Sequence, residues 1–160
     1  MNIFLDTETS GLVTESSPDR PKSEVLSITI LDEDENVLLD TLVKPLRPID
    51  PRASAVNGIT YDMVKDAPTY AEISPKIREI VKGNTIFAYN MAFDEKFIPE
   101  IDDCEKGCMM VDFAEYNNSK WLKLGNACKL VGYELINAHN SKADTIGLIK
   151  IFKFLQKNKN

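Results

Sequence analysis

Soft metal ligands are scarce in this chain. Its 160 residues include one histidine, His139, and three cysteines, Cys104, Cys108 and Cys128. An odd number of thiols with no export signal argues for reduced side chains rather than a disulfide framework. Cys104 and Cys108 resemble half of a zinc site, but the other half needs two more soft ligands, and Cys128 and His139 stand in unrelated contexts. A zinc centre is therefore not expected. Long apolar runs are missing too. Asn2-Ile3-Phe4-Leu5 reaches Asp6 at once, too short for a signal segment or a membrane span, so a cytoplasmic location without membrane attachment is expected. Apart from a Lys/Asn tail at 157–160, no repeat or low-complexity stretch interrupts the chain. A hydrophobic content of 43% suits one compact domain over residues 1–160.

Basic charge is also in deficit, with a formal net charge of −6. A protein held on phosphates by bulk charge usually shows the opposite sign. The deficit does not exclude phosphate chemistry, because clustered carboxylates that hold two divalent cations regain four positive charges where they matter. A bound strand would then be held locally, by a few lysines and arginines or by backbone amides.

Asn2 to Leu5 and Val25 to Leu31 read as core strands, the second β-branched and mostly apolar. Asp32 to Asn36 is a polar turn and Val37 to Val43 resumes a strand pattern, so the two runs predict an antiparallel hairpin. Thr14 to Ser23, rich in serine and proline, is a loop expected to border the functional site. Pro45, Pro48 and Pro51 punctuate a connection to short helical turns at Ala53 to Val56 and Tyr61 to Val64. Ile73, Ile77, Ile80 and Val81 lie at helical spacing in Ala71 to Val81, with Gly83 as a stop. Thr85 to Ala88 reads as a strand, Met91 to Ile101 as one helix, and Met109 to Val111 as the last short strand. Helices are expected near Leu124 to Val131 and over Ser141 to Gln156, and Trp121 is expected in the core. The lysines at positions 150, 153, 157 and 159 read as a solvated helix face. Strands first, then alternating helices and strands, predict an α/β domain with a mixed central sheet flanked by helices.

Two carboxylates stand out. In Asp6-Thr7-Glu8 they are two residues apart at the end of a strand, which puts them on one side. Their repulsion, about 4 kcal/mol at 4 Å for an effective dielectric near 20, is costly unless a cation lies between them. A D-x-E triplet alone is weak, since about one is expected by chance in a chain of this length and composition. Asp103-Cys104-Glu105 has the same pattern but follows a helix in polar surroundings and reads as a solvated turn. Asp6 and Glu8 differ in having an apolar strand before them and the tight turn Thr9-Ser10-Gly11-Leu12 after them.

Asp6-Thr7-Glu8-Thr9-Ser10-Gly11-Leu12 resembles the first motif of the DnaQ-like (DEDD) 3′→5′ exonucleases. Asn90-Met91-Ala92-Phe93-Asp94 resembles the second, and His139-Asn140-Ser141-Lys142-Ala143-Asp144 resembles the third motif of the DEDDh branch. All three occur in the family's order, and the similarity extends over nearly the whole chain, with members like exonuclease X and the proofreading ε subunit most similar. Tyr89 and Asn57 stand where relatives often carry histidine, and Ser10 replaces a common threonine.

The resemblance implies an RNase H-like fold and hydrolysis of nucleotides from a 3′ end, of DNA more readily than RNA. It implies two magnesium ions, replaceable by manganese, on Asp6, Glu8, Asp94 and Asp144, with His139 as general base. Oxygen-only acidic ligands suit those hard cations, and imidazole exchanges protons near neutrality. The resemblance further implies substrate contacts from Thr7, Thr9, Gly11, Leu12, Ile59, Asn90 and Phe93, with Leu12 and Ile59 wedged against terminal bases. It also admits a DNA polymerase partner, or a non-catalytic accessory subunit of one.

Overall fold

The structure is a computed structural model that describes residues 1–158. Five strands, β1 (Asn2–Thr9), β2 (Val25–Asp32), β3 (Val37–Leu42), β4 (Thr85–Ala88) and β5 (Glu105–Cys108), form one mixed sheet in the order β3-β2-β1-β4-β5. β2 runs antiparallel to both β1 and β3, while β4 runs parallel to β1 and β5 parallel to β4. Helices α1 (Pro51–Asn57), α2 (Tyr61–Val64), α3 (Tyr70–Val81), α4 (Met91–Asp94), α5 (Met109–Asn117), α6 (Leu124–Leu130) and α7 (Ser141–Asn158) complete the described residues. None is long and apolar enough to cross a membrane.

Strand alternation sorts side chains onto two faces of the sheet. Ile3 and Leu5 of β1 and Ile28 and Ile30 of β2 bury against Ile73, Ile77 and Val81 of α3. Phe4 and Leu31 bury on the other face against α5, α6 and α7. There Phe4, Phe87 and Phe152 pack with ring centroids 4.9–5.4 Å apart. The start of α3 is fixed by a capping box between Thr69 and Glu72, which satisfies backbone donors left open at a helix end.

Three expectations fail. Met91 to Ile101 is not one helix: α4 ends at Asp94 and a 3₁₀ turn follows at Pro99–Ile101. Pro99 has no amide to donate and forces Ile98 out of helical geometry, to φ −127° and ψ 79°. Met109 to Val111 begins α5, and the last strand is the polar edge segment just before it. A short apolar run fits a strand and a buried helix end equally well. Trp121, on the connection between α5 and α6, is 64% exposed rather than buried. The lysine face holds in part, since Lys150 is half-buried against Glu35 at 3.2 Å; position 159 lies outside the described residues.

Candidate active site

The C-terminal half of β1 projects past β4, which pairs only with Asn2 to Phe4. Asp6 and Glu8 emerge there, on the face covered by α7, and a bulge between Glu8 and Thr9 ends regular pairing with β2. Bulges of this kind re-aim side chains beside functional sites. Opposite Asp6 and Glu8 on β2 stand Thr29 and Ser27, whose hydroxyls both meet the Ser141 hydroxyl in the first turn of α7. This hydroxyl cluster fixes the helix start on the sheet and brings Asp144, one turn later, over the acidic strand. The sequence signal for it was the pair Ser27 and Thr29, two residues apart in an otherwise apolar strand.

Asn140 caps α7, its side chain accepting from the Ala143 amide at 3.0 Å. Just before it, the His139 amide donates to both oxygens of Asp144 at 3.2–3.3 Å. His139 adopts φ 67°, and Asn137 φ 59°. Left-handed conformations are uncommon outside glycine, although asparagine and histidine enter them more readily than most residues, and they persist where surroundings over-determine them. The turn presents an exposed imidazole beside the acids. Donor atoms of Glu8, His139 and Asp144 all lie within 4.8 Å of one another.

Asp94 reaches the cluster from α4. Its buried carboxylate accepts a hydrogen bond from Thr7 at 2.9 Å, although Thr7 points to the opposite face of β1 from Asp6 and Glu8. Asp6 is central: burial and the charges of Asp94, Asp144 and Glu8 hold its carboxyl well above the usual carboxylate range. Burial, with Asp144 and Asp94, pushes Glu8 up to about 8. Burial lifts Asp94 to about 7 against the Thr7 hydrogen bond, and lifts Asp144 to about 6 against the charge and amide of His139. Asp6 Oδ2 is sealed from solvent and has no hydrogen-bond partner among the described residues. A buried acceptor without a partner beside three further carboxylates is the environment a hard divalent cation relieves. The donor set therefore fits such an ion.

Of the expected substrate residues, Thr7, Thr9, Gly11, Leu12 and Phe93 line a cleft of about 490 Å³ together with Glu8 and His139, whereas Ile59 and Asn90 are not among its lining residues. Arg20 and Arg52, not anticipated there, also line it. Leu12 is 83% exposed, whereas Ile59 is 6% exposed and packs on Leu26 and Val64. Asn90 is exposed, and its carbonyl accepts from the amides of Phe93 and Asp94. Asn57 donates to the Thr9 carbonyl at 3.2 Å. Gly11 allows a close approach, since a β-carbon there would stand 2.8 Å from the Ser23 hydroxyl and force that side chain to shift. That hydroxyl ties the Thr14 to Ser23 loop back by accepting from the Val13 amide at 3.0 Å. As expected, the loop borders the site.

Exonuclease X, solved in complex with 5′ overhanging duplex DNA, superposes with a TM-score of 0.78 at 23% identity, covering 100% of this chain and 94% of that one. Sheet, helices and acidic cluster together define a nuclease with an RNase H-like fold. The profile of the RNase T exonuclease family matches residues 3–152, and the chain belongs to that family, the DnaQ-like 3′→5′ exonucleases of DEDDh type. Its members generally use divalent metal ions. Among curated relatives, an uncharacterized exonuclease, CP81, of Escherichia phage 186 is 30% identical over 172 residues, covering 92% of this chain and 85% of that protein. The DNA polymerase III subunit epsilon of Treponema pallidum is 32% identical over 105 residues, 63% of this chain and 46% of that subunit. The chain thus spans less than half the length of the epsilon relative.

Proposed function

We propose that residues 1–160 work as one exonuclease domain that removes nucleotides from the 3′ end of DNA, with two magnesium ions on Asp6, Glu8, Asp94 and Asp144. The observation that carries this reading is the sealed, unpartnered Asp6 Oδ2 among three further carboxylates and beside an imidazole. When bound, such ions activate water and neutralise charge on the phosphate and the departing oxygen. Manganese, with the same preference for oxygen ligands, substitutes.

His139 is the general base. It stands at the exposed rim of the cluster, accepts a proton from the attacking water, and is held in place by the Asp144 carboxylate gripping its amide. Thr7 fixes the orientation of Asp94. Thr9, Gly11 and Phe93 shape the floor and wall against which the terminal nucleotide lies, and Asn90, exposed at the start of α4, adds its side-chain amide to the strand. Leu12 offers an exposed apolar side chain to the bases, and Ile59, buried on Leu26 and Val64, has only a small exposed edge to add.

DNA is favoured over RNA because an epsilon relative more than 30% identical is named as a DNA polymerase subunit. The same name supports a polymerase as partner. The three free thiols suit the reducing cytoplasm. A non-catalytic accessory role is disfavoured, since a pure binder gains nothing from clustered, uncompensated acids. The test is digestion of 5′-labelled DNA and RNA oligonucleotides with magnesium or with chelator. A ladder shortened one nucleotide at a time from the 3′ end, faster on DNA and absent in chelator, is expected. Internal cleavage, or full activity in chelator, overturns the reading.

A further inference from the structure

The catalytic cleft is the first of three adjoining concavities. It shares Leu12 and Arg20 with a second of about 310 Å³, which shares Lys22 and Arg47 with a third of about 340 Å³ that reaches Lys44 and Leu46. The wall common to the row is the Ser10 to Glu24 segment, the loop that carries most of the prolines and serines between β1 and β2.

Two features of the row are unexplained by the fold. Leu12 and Leu46 are the two most exposed large hydrophobic side chains of the described residues, at 83% and 84%, and they stand in the first and last concavities. Cations lie between and beside them in a chain of net charge −6. Their acidic neighbours are mostly engaged within the protein. Glu24 accepts from the amides of Leu46 and Arg47 at 2.7 and 3.1 Å, and Asp50 accepts from the Arg52 amide and guanidinium at 2.9 and 3.2 Å. Arg20 and Lys44 form no ion pair among the described residues. Lys22, over the Phe97 ring at 5.3 Å, and Arg47, donating to the Lys22 carbonyl at 3.0 Å, rigidify the middle of the row.

Exposed apolar side chains at both ends of a row of cations, along a groove continuous with a nuclease cleft, match single-stranded nucleic acid, whose bases pack on apolar surface while its phosphates meet positive charge. We infer that the strand being digested runs from the catalytic cleft past Leu12 and Arg20, along Lys22 and Arg47, to Lys44 and Leu46, so that its unpaired upstream nucleotides are held in this groove. The inference rests on the exonuclease reading and adds the path that the upstream nucleotides take.

The test uses the full chain and thymidylate oligomers of four and twelve nucleotides, with calcium to block turnover, by fluorescence anisotropy across a salt series. The parent should bind the longer oligomer about tenfold or more tighter, with a salt slope steeper by about 0.7 for each further phosphate contact. Lys44→Glu and Leu46→Ser, the first at a half-buried and the second at an exposed position and both checked for folding by circular dichroism, should each remove most of that length gain, and only Lys44→Glu should flatten the salt slope. Equal binding of both lengths by the parent, or an undiminished gain in both folded variants, overturns the inference. Hydrolysis of the p-nitrophenyl ester of thymidine 5′-monophosphate by the parent separates the two readings. A parent inactive on the ester with magnesium refutes the exonuclease reading itself, whereas an active parent with length-independent binding refutes only the groove.

Discussion

The Thr7 hydroxyl donates to Asp94 Oδ1 at 2.9 Å inside the protein, joining the first strand to a helix 87 residues later. The bond uses one carboxylate oxygen and leaves the other for a cation, and it resists the upward pull of burial on Asp94. Partners that orient a metal-binding carboxylate typically contribute 10- to 100-fold in metal affinity. Thr7→Val keeps the side-chain shape but removes the donor. Calorimetric titration with manganese should show affinity lower by about tenfold or more, and Thr7→Ser should restore it. Equal affinity in Thr7→Val would show the hydroxyl to be incidental.

The acid cluster makes the metal-free fold sensitive to pH in an uncommon direction. In the unfolded chain these carboxyls ionise near pH 4, whereas in the fold Asp144, Asp94 and Glu8 hold their protons to about 6, 7 and 8, and Asp6 is also raised. A raised folded value contributes stability that is complete below the unfolded value and is lost as pH climbs through the folded one. Carboxyls shifted the other way, Asp32 and Asp50, complete their titration below this window. In chelator the melting temperature should therefore fall from about pH 5 to about pH 8, and magnesium should raise it more at the upper end. A chelated protein that melts higher at pH 8 would contradict this.

Asp6→Asn removes the most crowded charge while keeping its volume. Sites built for function commonly store such a cost to stability. The variant should melt above the parent in chelator, yet gain nothing from magnesium. Scanning calorimetry with and without the ion checks both halves.

His139→Ala separates proton transfer from ion holding. Metal affinity should stay near the parent's, while turnover falls by about 10²- to 10⁴-fold, the usual contribution of a positioned base. Cleavage at the parent rate near neutral pH would remove His139 from the mechanism.

Away from the site, a β-carbon at Gly107 would meet the Phe87 ring at 2.5 Å, and that ring is already packed against Phe4 and Phe152. Gly107→Ala should cost about 1–3 kcal/mol through overpacking, read from urea unfolding.

Much of this could be read in the chain, for physical reasons that differ by element. Val25 to Leu31 announced a buried strand because it is covered on both faces, and α3 announced itself by isoleucine spacing. Asp6, Glu8, Asp94, Asp144 and His139 could be picked out as candidates because each sits in a short local pattern. What the sequence concealed was pairing across distance. Thr7 looked like part of a motif facing substrate, and only the fold brings its hydroxyl to Asp94. Ser27 and Thr29 carry no local sign of a partner, and only the fold brings Ser141 of α7 to their hydroxyls. Trp121 misled because size alone suggested burial.

The central claim is that the four carboxylates enclose divalent cations beside His139. Crystals grown with manganese and measured at its absorption edge test it directly. Anomalous peaks are expected among the oxygens of Asp6, Glu8, Asp94 and Asp144, within reach of the imidazole. A well-ordered cluster with no such peak, or manganese bound only elsewhere, would contradict the account.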